Sequence, residues 1–232
     1  MKPFYLYFFI LFYSFSSFAN KDSIVSFSTA VKKNIKQYIS YSNKAYSKKD
    51  YIKATYLYDS LVSNTLIGTQ FDDFSFKRIG KKKLHLSSIK IPTLIFTYAS
   101  WCVIEKGEIP ALNKMAQDYK GKIKIVVIFW DKKQNMKKIA RKFNSQIEVC
   151  YAHESYSKDQ VTIKLLKKTL GFPTSYYLDA SRTVVSIKKR SSKPLYKIDF
   201  KTSFDNSITA LNTDINSLLI ANSLNKTRLA TQ

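Results

Sequence analysis

The stretch "FTYASWCVIEKGEIPALNKM" (Phe96–Met115) decides how the rest of the chain is read. It starts inside an almost unbroken apolar run, Thr93–Ala99, of the kind that fills the centre of a sheet covered on both faces. It ends in residues at helical spacing: Ile109, Leu112, Met115 or Ala116, and Tyr119. Trp101-Cys102 lies between the two. A cysteine at such a junction is expected at the helix N-terminus, where unpaired N–H groups and the helix dipole favour the thiolate. Glu105 stands three residues on, within one helical turn of the thiol, and an ionised carboxylate there would disfavour the thiolate. The two influences oppose each other, and the sequence leaves the balance open.

Outward from this stretch, strands and helices alternate. "KIKIVVIFW" (122–130) is a second buried strand, and "NMKKIARKF" (135–143) a helix with Met136, Ile139, Ala140 and Phe143 inward. "IEVCYA" (147–152) is a short strand and "DQVTIKLLKKTLGF" (159–172) a helix. "TSYYLD" and "TVVSIKK" form a hairpin, and a last helix carries Ile208, Leu211, Ile215 and Leu218. Upstream, "FSFKRIGKKKLHLSSI" (74–89) reads as a hairpin. Before it, Ile24, Phe27, Val31, Ile35 and Tyr38, then Tyr51, Ala54, Tyr58 and Leu61, predict a helical hairpin with Asp50 as the second N-cap. That hairpin is either a packing element or a docking surface. Alternation of this kind around a buried sheet means an α/β sandwich.

The chain is 232 residues long, 45% hydrophobic and 15% aromatic, with only five Gly and five Pro, which excludes a low-complexity protein. Its net charge of +23 raises the question of a polyanionic partner. The cations come as many short runs, with no RNA-binding sheet motif and no zinc-finger spacing, so no nucleic acid is expected. Peripheral contact with an anionic membrane surface or acidic partners stays open. Lys2, the apolar run Phe4–Tyr13 and the small residues up to Ala19 have the layout of a secretory signal peptide cut after Ala19. The run is short for a membrane span, so an uncleaved anchor is the lesser alternative. The expected division is a signal peptide over 1–19, a helical extension over 20–64, the main domain over 65–225 and a polar tail over 226–232. A mature protein outside the cytoplasm, most simply in the periplasm, follows.

Over roughly Leu66–Arg190 the chain resembles the thioredoxin superfamily, and most closely the extracytoplasmic thiol-disulfide oxidoreductases of the TlpA/ResA type. "TYASWC" is similar to the strand entering the redox motif, "EIPALNKM" to the Glu-x-Pro-x-Leu helix, and "GFPTSYYLD" to the segment whose proline is cis and faces the redox cysteine. The resemblance implies a thioredoxin-like sandwich, a central mixed sheet flanked by helices, here with an N-terminal helical hairpin and a C-terminal helix. The family frame is Trp-Cys-x-x-Cys-x-x-Glu-x-Pro. This chain reads Trp101-Cys102-Val103-Ile104-Glu105-Lys106-Gly107-Glu108-Ile109-Pro110, so Glu105 replaces the resolving cysteine and the frame is otherwise intact. The family's Asp-x-x-Gly turn has become Asp179-Ala180-Ser181-Arg182.

On this resemblance Cys102 is the candidate nucleophile. Glu108 matches the glutamate beside the motif, or is simply helix N-terminal charge. Pro110 would kink its helix, and Trp101, Phe172, Pro173 and Thr174 would contact the partner. The expected partners are protein thiols or disulfides in the cell envelope. No cofactor is expected, and no metal, since His85 and His153 are the only histidines and one motif cysteine is missing. Cys150 reads as a buried hydrophobe or as a distant partner for Cys102. Two functions stand side by side: a monothiol oxidoreductase reacting through Cys102, and a redox-inactive binding module that keeps the peptide groove beside Pro173. The Pro-x-x-x-Thr-x-x-Cys arrangement of a peroxidase thiol is absent.

Overall fold

The computed structural model describes residues 24–102, 105–189 and 198–230. The signal-peptide reading of 1–19 falls outside these residues. Helices α1 (Phe27–Ser47) and α2 (Tyr51–Leu61) form the expected hairpin, with α2 extended by wider π-type turns over Val62–Leu66. Asp50 caps α2 by accepting the Lys53 N–H at 2.9 Å. The remaining order is β1 (Ser75–Arg78), β2 (Lys81–His85), β3 (Thr93–Tyr98), α3 (Glu108–Asp118), β4 (Lys124–Phe129), α4 (Lys133–Ala140) and β5 (Ile147–Tyr151). There follow α5 (Gln160–Thr162, running into π-type turns over Ile163–Thr169), β6 (Thr174–Leu178), β7 (Val184–Lys189) and α6 (Phe200–Ala230). Helix α6 continues past 225, through residues that read as polar tail.

The strands make one mixed sheet in the order β2-β1-β5-β4-β3-β6-β7. The central strands β5, β4 and β3 are parallel, while β6 runs antiparallel to β3. Successive residues of a strand point to opposite faces, so the apolar runs serve two cores. On one face Ile95, Val126, Ile128, Cys150 and Tyr176 pack with Phe27, Val31, Tyr58, Leu61 and Leu166. The hairpin is therefore a packing element of this core. On the other face Leu94, Phe96, Val127 and Phe129 pack with Leu112 and Met115 of α3, Met136 of α4, and Leu211, Ile215 and Leu218 of α6. No helix among the described residues is long and apolar enough to cross a membrane.

Sheet register positions the candidate site. Thr97 of β3 pairs with Thr174 at the start of β6, so Pro173 comes beside the end of β3 just before Cys102. Parallel pairing ends β4 on the same side, and the Trp130 N–H to Tyr98 O bond (2.8 Å) brings Asp131 next to the same loop.

Candidate functional site

Residues 99–102 and 105–107, between β3 and α3, are turns and loop rather than a helix start. Helix α3 begins at Glu108, six residues after Cys102, which corrects the expectation of a thiol at the helix N-terminus. Pro110 disfavours an earlier start, which would put it in the helix interior, and α6 packs against the residues just before the helix. The Gly107 N–H donates to Ser203 Oγ at 3.1 Å, and Ser203 Oγ donates to Glu105 Oε2 at 3.1 Å. A side chain at Gly107 would place its Cβ 2.2 Å from the backbone N of Phe204, so only glycine admits this contact. Pro110 lies in the first turn of α3, where its missing N–H costs no interior hydrogen bond.

Cys102 is half-buried. Its Sγ accepts the Ala99 N–H at 3.3 Å, and its own N–H donates to Ala99 O at 2.8 Å. Its thiol pKa is raised: burial disfavours the charged form, the Ala99 N–H works the other way, and the Asp131 carboxylate adds to the rise. The carboxylate acting on the thiol is thus Asp131, while Glu105 is tied to α6. Asp131 was not legible as a site residue. It is 6% exposed and accepts the Ser100 N–H at 2.5 Å and the Ser100 hydroxyl at 2.7 Å. Glu108 is also 6% exposed, as the first residue of α3, and accepts a hydrogen bond from the Tyr98 hydroxyl.

The other wall is the Gly171–Thr174 segment. The Phe172–Pro173 bond is cis. Thr174 is buried, its N–H donating to Thr97 Oγ1 at 3.0 Å while the Thr97 hydroxyl donates to Thr174 O at 2.9 Å. Trp101 is 73% exposed, so it is no core residue. Its ring meets Phe172 edge to face, centroids 5.6 Å apart, joining the chain neighbours of Cys102 and Pro173.

Both cysteines are free. Cys150 is fully buried within β5, and burial, then Glu148, pushes its thiol up to about 12. Strand β5 lies two strands from β3. Cys150 stands level with Thr97, two strand spacings or roughly 10 Å away, and Cys102 lies in the loop beyond that strand. Among the described residues no group of three or more His, Cys, Asp or Glu is placed to hold a metal ion.

The AhpC/TSA family profile matches residues 67–187, from the end of the helical hairpin through most of β7. The chain belongs to the AhpC/TSA family. The thioredoxin-like protein YneN of Bacillus subtilis is 25% identical over 121 residues, 52% of this chain and 69% of that protein. Among solved structures, a putative thiol:disulfide interchange protein DsbE from Chlorobium tepidum superposes with a TM-score of 0.50 at 20% identity, covering 66% of this chain and 97% of that one. The thioredoxin domain of a thiol-disulfide oxidoreductase from Bacteroides vulgatus gives 0.48 at 17% identity, covering 64% and 97%. The thioredoxin-like fold expected from the sequence is the fold of this chain.

Proposed function

We propose that this AhpC/TSA family member is an extracytoplasmic monothiol protein that exchanges disulfides with protein thiols or disulfides of the cell envelope through Cys102. The observation that carries the reading is the pairing of one reachable thiol with a partner wall. Cys102 and Pro173 are bracketed by the Trp101–Phe172 contact, while the second motif position, Glu105, is bonded to Ser203. Trp101, Phe172, Pro173 and Thr174 would seat an extended partner segment, whose backbone pairs beside the cis proline. Export is supported by Lys2, the apolar run Phe4–Tyr13 and the small residues ending at Ala19.

In the reaction the Cys102 thiolate attacks one sulfur of a partner disulfide. A Cys102–partner S–S bond forms as the partner's own S–S bond breaks, and the departing sulfur leaves with the electron pair and takes up a proton. The partner disulfide is the oxidant. With Glu105 in place of a second cysteine, the mixed disulfide persists until an external thiol attacks it and releases Cys102. Incubation with a disulfide-bonded peptide should leave a covalent adduct on Cys102, seen by mass spectrometry, and none in Cys102→Ser.

The raised thiol pKa favours a second reading, a redox-inactive module that uses the same groove for binding. That reading predicts no adduct in the wild type and unchanged peptide affinity in Cys102→Ser.

A further inference from the structure

The surface next to the thiol loop is strongly and one-sidedly charged. Asp131, which grips Ser100, is followed by Lys132, Lys133, Lys137, Lys138, Arg141 and Lys142, and no acidic residue occurs before Glu148. Lys132, Lys133 and Lys137 are exposed and, among the described residues, pair with no carboxylate. Together with Gln134, Ser155 and Tyr156 they line a concavity that begins one residue beyond Asp131. Glu154, adjacent to Ser155, is taken up by Lys167 at 3.2 Å and Lys168 at 3.9 Å, so it does not neutralise this surface.

A second concavity lies on the far side of Lys137. Arg78, Lys81, Lys137 and Arg141 line it above an apolar floor that includes Phe143 and Val149. Its one carboxylate, Glu148, is shared among Arg78 (2.9 Å), Lys124 (3.3 Å) and Lys81 (3.9 Å). Three cations around one carboxylate leave a positive surplus. The two hollows share Lys137 and form a basic path leading away from the thiol loop. Lys132 to Arg141 spans about 13 Å along α4, the length of about four extended residues.

The geometry points to an acidic polypeptide segment as the occupant of this path: the partner of Cys102 carries Asp or Glu residues close in sequence to its reacting cysteine. This rests on the monothiol reading above and names the partner class for the same site. Two concave surfaces in succession along one helix, beside a groove suited to extended chain, fit a polypeptide better than a flat bilayer. Opposite charge would speed encounter and suppress basic partners.

The test uses two peptides of equal length, each with one cysteine held as a mixed disulfide with 2-nitro-5-thiobenzoate, flanked by four Glu in one and four Lys in the other. Attack by Cys102 forms the Cys102–peptide disulfide and expels the coloured thiobenzoate with the electron pair. The acidic peptide should react about tenfold faster at low ionic strength, an advantage reduced in about 0.5 M salt. The advantage should be largely lost in Lys132→Gln/Lys133→Gln/Lys137→Gln, although that variant keeps most of the overall positive charge. Equal rates, or an advantage untouched by the triple substitution, overturn the inference and leave the exchange activity standing. If neither peptide reacts, the exchange reading fails and with it the reacting cysteine of the partner, and binding decides the remaining part of the inference, that an acidic segment occupies the basic path. Serine-for-cysteine versions of the peptides are then titrated against Cys102→Ser by fluorescence anisotropy. A preference for the acidic peptide that needs the three lysines upholds the inference, and no preference overturns it. Binding of phosphatidylserine vesicles that depends on these lysines, without peptide discrimination, overturns it in favour of a membrane surface.

Discussion

The two walls of the site are held in different ways. The Gly171–Thr174 wall is held by the sheet itself: Thr174 begins β6 and exchanges two hydrogen bonds with Thr97 of the neighbouring strand. The other wall, Ser100–Cys102 and Glu105–Gly107, is held from outside the sheet, by Asp131 at Ser100 and by Ser203 of α6 at Glu105 and Gly107. The first wall carries the cis Phe172–Pro173 bond. The second lacks both the resolving cysteine and a helix start at the thiol. The two sides of the site thus draw on different contacts, so a change in one need not disturb the other.

The sharpest way to break this contrast is Gly107→Ala. Its Cβ would meet backbone of α6 at 2.2 Å, and the forced separation should cost at least about 3 kcal/mol in a denaturant melt. It should also change Cys102 reactivity, because the loop loses its α6 anchor. Less costly is Thr97→Val on the other wall. It removes both bonds to Thr174 in a buried setting, which should cost about 2 kcal/mol. Peptide affinity should weaken while the alkylation rate of Cys102 stays unchanged. If Thr97→Val altered the thiol as much as Gly107→Ala did, the two walls would not be independent.

The smallest effect tests a position outside both walls. Arg182 occupies φ +67, the left-handed region that favours glycine. Arg182→Gly relieves about 1–2 kcal/mol of left-handed strain, offset by the greater entropy loss of glycine, about 0.5–1 kcal/mol, and by the 3.6 Å ion pair to Asp73. A net stabilisation of ~0.5 kcal/mol is expected by thermal melt, with Cys102 reactivity unmoved.

Much of this was legible in the sequence. Apolar runs such as Thr93–Ala99 mark central strands whatever surrounds them, and Gly171-Phe172-Pro173-Thr174 sits next to its strand partner through register alone. Asp50 announced the start of α2 through local capping. The thiol loop escaped because its determinants are distant. Asp131 reads as an ordinary polar residue after an apolar strand, yet it meets Ser100 across 31 positions. Ser203 reaches Glu105 across 98 positions from a helix with no distinctive motif. The helical spacing that begins at Ile109 is real. What the sequence could not show is that α6 packs directly on Gly107, next to the start of the helix at Glu108.

The most direct test of the rebuilt wall is the pH dependence of Cys102 alkylation, mapped by peptide, in the wild type and in Asp131→Asn. Burial and Asp131 both raise the thiol pKa, so the wild type should react slowly at neutral pH and gain reactivity only above the ordinary thiol pKa of ~8.5. Removing the Asp131 charge lowers the energy of the thiolate, so the Asp131→Asn profile should shift to lower pH and its rate at neutral pH should rise severalfold. Rapid wild-type alkylation well below neutrality, unchanged by Asp131→Asn, would contradict the account and place the thiol under an activating field that this loop does not supply.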